Sequence, residues 1–97
     1  MNIYDYITPQ SGESFTTLLE HNNIKINRII SSDNVDKTEY IQKEDEWLVL
    51  LEGEATLLLN KEEKKLTKGE TLFIPAKTVH RVINTQNGTV WLTVHIF

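Results

Sequence analysis

Short apolar runs separated by turn residues fill most of the chain. In "IKINRII", Ile24, Ile26 and Arg28 alternate with Lys25 and Asn27, the period of two that marks a half-buried strand. "FTTLLE" (Phe15–Glu20) precedes it, and His21-Asn22-Asn23 between them reads as a hairpin turn. Further strands are expected at Thr38–Gln42, Glu46–Glu52, in "EATLLLN" after Gly53, near Leu66, at Thr71–Ile74, at His80–Asn84 and in "TVWLTVHIF" from Thr89. Gly53 permits a tight turn or bulge, Lys68-Gly69 makes a turn, and Asn87-Gly88 is a hairpin signal before the last strand. No segment makes a convincing helix. Some eight short strands with regular turns predict an all-β fold, a sandwich or small barrel.

The 97 residues suit one domain, spanning 1–97. Hydrophobic residues at 39% and charged residues at 25% are those of an ordinary globular protein, so a packed core is expected. The absence of cysteine excludes disulfides, thiolate metal sites and cysteine nucleophiles. "MNIYDYITPQ" lacks the basic and apolar regions of a signal peptide, and no apolar run approaches a membrane span. A cytoplasmic protein with no membrane partner is therefore expected. A net charge of −4 argues against nucleic acid, whose binding draws on clustered lysine and arginine. The one basic cluster, "KEEKK" (Lys61–Lys65), carries its own glutamates and reads as a solvated hairpin tip.

Candidate chemistry starts at "YIQKEDEWLVLLEGEA". Tyr40 and Gln42 share a face of one expected strand, and Glu46 opens the next. His80 follows a strand and a turn at Pro75, an order that aims an imidazole at a defined place. With His80 across the sandwich, Gln42, Glu46 and His80 converge. An amide oxygen, a carboxylate and an imidazole are a workable set for one divalent first-row ion, whether zinc, iron, nickel or manganese. The blander alternatives are a solvated Glu and Gln, and a His hydrogen-bonded only for structure.

His95 leaves two readings open. Val90, Leu92, Val94 and Ile96 form the natural core face of the last strand, which puts Trp91, Thr93, His95 and Phe97 on the other. That second face either lines a cavity, with His95 as ligand-binding imidazole, or packs on another subunit. Trp47 reads as packing. Asp33, Asp36, Glu39, Glu44 and Asp45 read as solvated turn residues; ringed around a cavity mouth, they would disfavour anions.

These stretches resemble the cupin family. Its second motif, G-x5-P-x-G-x2-H-x3-N, is met by Gly69, Pro75, His80 and Asn84, with Lys77 where a glycine is usual. The latter half of its first motif, G-x5-H-x-H-x3/4-E-x6-G, is met by Glu46 and Gly53, and the two motif histidines fall on Tyr40 and Gln42. The resemblance spans Asn34 to Asn84. It implies a small jelly-roll, or double-stranded β-helix, barrel of two antiparallel sheets. The barrel core is expected over about 24–97, behind an N-terminal segment with a strand hairpin at about 1–23. The resemblance also implies that His80 and Glu46 are metal ligands, that Gln42 completes the shell, that Tyr40 or His95 contacts the ligand, and that Asn84 ends its strand.

A metal-binding or small-molecule-binding barrel is thus expected. The alternative is a metal-free ligand-binding or sensor module without catalysis. The apolar residues on both parities of "LVLL", "TLLL" and the last strand predict a homodimer through the outer face of one sheet.

Overall fold

The computed structural model describes residues 1–97. Eight strands form: β1 (Glu13–His21), β2 (Ile24–Ser31), β3 (Asp45–Glu52), β4 (Glu54–Leu59), β5 (Glu62–Thr67), β6 (Thr71–Ile74), β7 (His80–Thr85) and β8 (Thr89–Ile96). No helix occurs, so none is long and apolar enough to cross a membrane. A five-stranded sheet in the order β1-β2-β8-β3-β6 faces a three-stranded sheet, β5-β4-β7. All pairings are antiparallel. The two sheets make the expected jelly-roll barrel. β1 is an edge strand of the larger sheet, so the barrel begins at Glu13 rather than near residue 24.

Turn chemistry explains most of the corners. Asn22 takes φ 52 in the β1–β2 hairpin, and Asn60-Lys61 take φ 50 and 76, the paired positive values of a tight two-residue hairpin. That turn occupies only the first residue of "KEEKK"; Glu62–Lys65 lie in β5, on the edge of the small sheet. The Asn87-Gly88 turn forms but joins the two sheets, because β7 pairs with β4 while β8 pairs with β2 and β3. Gly53 turns the chain from β3 directly into β4, with φ 88. A Cβ there would lie 2.8 Å from the Thr89 Cα, so the position requires glycine on both counts.

The strand expected at Thr38–Gln42 does not form. Only Tyr40 pairs, exchanging both backbone hydrogen bonds with His80 at 2.8 and 3.0 Å. Two residues later the Gln42 carbonyl accepts from the Lys77 N–H, which turns the segment away from β7 and ends the pairing.

Leu48, Leu50, Ala55, Leu57, Leu66, Ile74 and Trp91 form the core between the sheets. In β8 the interior face is Trp91, Thr93 and His95, which corrects the expectation that the all-aliphatic face points to the core. The aliphatic set lies on the outer face of the large sheet. There Arg28 donates to the carbonyls of Ile3 and Asp5 at 3.1 and 3.2 Å and lies over the Tyr6 ring, so the N-terminal segment covers one part of that face. A second part is uncovered. Leu19, Ile26, Val94, Trp47 and Phe73 are successive cross-strand partners and form one uncharged apolar row across all five strands. Leu19 and Phe73 at its ends are 50% and 51% exposed, and Trp47 is 38% exposed.

Candidate functional site

The barrel encloses a cavity of about 300 Å³. That is near the lower end of ligand sites, roughly 300–1,000 Å³. All five nominated side chains, Tyr40, Gln42, Glu46, His80 and His95, line it. Leu48, Leu57, Ile74 and Trp91 supply apolar wall. The core and the cavity thus share side chains, and the same strands that close the barrel aim the polar groups.

Glu46 opens the inward face of β3 and is only 7% exposed. Its Oε1 accepts the Gln42 Nε2–H at 2.9 Å. Because a carboxylate only accepts, Gln42 presents its nitrogen to Glu46. His80, 9% exposed, begins β7. Its Nδ1 lies 2.9 Å from the Thr78 carbonyl, so Nδ1 donates and Nε2 is left without a hydrogen-bond partner in the chain. Tyr40 is exposed at the cavity rim, its ring 6.2 Å from the His80 ring.

His95 faces the cavity, which settles between its two readings in favour of the inside. Its Nδ1 donates to Glu44 Oε2 at 2.9 Å and lies 4.0 Å from Glu46 Oε1, while Nε2 is 3.3 Å from the Thr93 hydroxyl. Glu44 is therefore no solvated turn residue: it is the partner of His95, with both side chains largely buried. Asp45 likewise accepts the Ala76 N–H at 2.8 Å and pins the turn before His80. Asn84 lies inside β7 opposite Thr56, one residue short of the strand end.

The motif departure at Lys77 has a structural counterpart. Lys77 holds φ 64, the left-handed region where the motif's glycine would be unstrained. No group of three or more His, Asp or Glu side chains stands close enough together to hold a metal ion. The sequence reading also missed Glu13, whose carboxylate lines the cavity beside Phe15. Its place depends on strand register, which carries no short-range signal.

The family model for the cupin domain matches residues 33–96. The chain belongs to the cupin family. The cupin is similar to a Ralstonia eutropha JMP134 protein provisionally named a mannose-6-phosphate isomerase, at 32% identity and TM-score 0.87, over 99% of this chain and 95% of that one. A cupin superfamily protein from Desulfitobacterium hafniense DCB-2 shares its fold at 17% identity and TM-score 0.83, over 94% and 84% of the two chains. So does an RmlC-like cupin from Shewanella frigidimarina NCIMB 400, at 16% identity and TM-score 0.80, over 89% and 77%. Among curated protein sequences no match was found.

Proposed function

We propose that this cupin binds a small polar organic molecule in its barrel cavity without a resident metal. The observation that carries the reading is how the polar groups are already engaged. The Gln42 N–H is committed to Glu46, and the Glu44 carboxylate to His95. His80 Nε2 and Glu46 Oε2, which make no hydrogen bond within the chain, remain for a guest. A divalent ion of the first row favours imidazole nitrogens and converging carboxylates. The set Gln42, Glu46 and His80 offers one imidazole, one carboxylate and an amide turned nitrogen-first, so the residues as arranged do not fit a tightly held cation. They fit hydroxyl, amide or amine groups, which can both donate and accept.

The test uses untagged, 15N-labelled protein. Metal content after dialysis against a chelator should fall below about one ion per ten chains, with the fold unchanged. A panel of n-butanol, butyramide, butyrate and n-butylammonium should include at least one compound that shifts the Trp91 indole or His80 ring signals saturably and leaves Trp47 still. Stoichiometric metal retained through dialysis, or no response to any probe, overturns the reading.

A second reading draws on the Ralstonia relative. Glu46 and His95 stand side by side, as two groups passing a proton between adjacent carbons of a sugar would. Interconversion of mannose 6-phosphate and fructose 6-phosphate that is lost in Glu46→Gln would establish it.

The proposed macromolecular partner is a second copy of the chain, docked through the uncharged row on the outer sheet face. Such a row, centred on the middle strand β8, can meet itself about a two-fold axis.

A further inference from the structure

The cavity has a second polar end. Glu13 faces Ser31 on β2, which faces Thr89 on β8, whereas Glu46 faces His95. Thr89 and His95 lie six positions apart on β8. At ~3.3 Å per residue that is about 20 Å along the strand, so the two carboxylates mark opposite ends of the barrel.

Glu13 is held in place from one side only. The Trp91 indole N–H donates to the Ser31 hydroxyl at 2.9 Å, and that hydroxyl donates to Glu13 Oε2. The other carboxylate oxygen makes no hydrogen bond within the chain. No ion pair reaches Glu13; those of the chain involve Lys64, Lys68 and His95. Burial raises the Glu13 pKa, the Ser31 bond opposes the rise, and the Asp36 charge adds to it. A half-buried carboxylate with no cation beside it is a costly arrangement unless something supplies the missing charge.

The neighbouring row supplies an apolar wall. Phe15, Ile29 and Trp91 are successive cross-strand partners two positions along from Glu13, and all three line the cavity. A carboxylate beside aromatic rings is the chemistry that recognises an ammonium group. Arg81 is the one Lys or Arg of the lining; it is exposed and forms no ion pair.

We infer that Glu13 is a ligand-binding residue, and that with Phe15 and Trp91 it forms a station for an alkylammonium group. The inference rests on the reading of the cavity as a binding site for small organic molecules and names the class of guest. It also sets this cavity against sugar phosphates, whose charge would meet Glu13 at one end and Glu46 at the other.

Two tryptophans make the test internal. The Trp91 indole N–H reports on the Ser31–Glu13 chain, and Trp47, on the outer face, is the control. The 15N-labelled protein is titrated with n-butylammonium, n-butanol and butyrate. The ammonium should shift Trp91 saturably with a Kd about tenfold below the other two, a gap matching roughly 1.4 kcal/mol. Glu13→Gln should reduce that preference to within about twofold, and Phe15→Leu should weaken ammonium binding alone, by several-fold. Equal binding of the three probes, or a preference that survives in Glu13→Gln, overturns the station while leaving the cavity reading standing. Should no probe move Trp91 or His80, both fall together.

Discussion

Lys77 donates its backbone N–H to the Gln42 carbonyl at 2.8 Å and does so from a left-handed conformation, φ 64. That one bond ties the turn before His80 to the segment that supplies Gln42. Left-handed backbone costs a residue with a Cβ about 1–2 kcal/mol, partly offset by the greater unfolded freedom of glycine, about 0.5–1 kcal/mol. Lys77→Gly should therefore raise stability by about 0.5–1 kcal/mol in urea unfolding, and the β-branched Lys77→Val should lower it by more than ~1 kcal/mol. Equal midpoints for all three proteins would mean that the turn relaxes freely.

Gln42→His places an imidazole beside Glu46 and within the shell that His80 and His95 border. Imidazole is a far better ligand than an amide for zinc or nickel. Zinc affinity, measured by competition with a chelator, should rise by at least about tenfold over the parent. An unchanged constant would mean that position 42 does not face the site.

Glu13 links the cavity to acid stability. Its pKa is raised in the folded state, chiefly by burial, above the ordinary carboxylate value. The folded state then holds a proton that the unfolded chain releases, so the contribution is full below the unfolded value and fades as pH rises through the folded one. Glu70 works the other way: its carboxylate accepts from the Thr67 hydroxyl and N–H, so its contribution fades as pH falls through its lowered folded pKa. Glu13→Gln removes only the first trend. The variant should gain on the parent in thermal stability as pH rises from 4 to 8, and a constant difference across that range would show that Glu13 does not titrate abnormally.

The outer row Leu19–Ile26–Val94–Trp47–Phe73 predicts a dimer. Sedimentation at decreasing concentration should give dimer at micromolar levels, and Trp47→Glu should weaken association at least about tenfold, since a charge would be desolvated at the contact. A parent chain that stays monomeric at high micromolar concentration rules the contact out.

Local signals were legible and distant ones were not. Gly53 and Gly69 could be read as turns because positive φ selects glycine, and the spacing Gly69–Pro75–His80 gave the imidazole a strand, a turn and a direction. Gln42 and Glu46 were legible through the motif spacing, which puts Glu46 seven positions before Gly53 and Gln42 four before Glu46. His95 stayed ambiguous because β8 is covered on both sides: Val90 on one face and Trp91 on the other are both buried, so periodicity has no polar face to detect. Glu44 looked like any acidic turn residue, since its partner His95 lies 51 positions away. Glu13 depends on the β1–β2 register, which a bulge between Thr17 and Leu19 shifts by one.

Tyr40, Gln42 and Glu44 all come from the stretch between β2 and β3, which touches β7 through the Tyr40–His80 bridge and the β6–β7 turn through Lys77. No strand of either sheet runs through it. The two sheets act as a frame, and this stretch is an insert held on it by backbone bonds at Tyr40 and Gln42 and by the side-chain bonds of Gln42 to Glu46 and Glu44 to His95. Frame and insert can therefore drift separately: residues of the insert can change which guest is admitted while the sheets keep their register. A barrel so divided offers new specificities at little risk to its own folding.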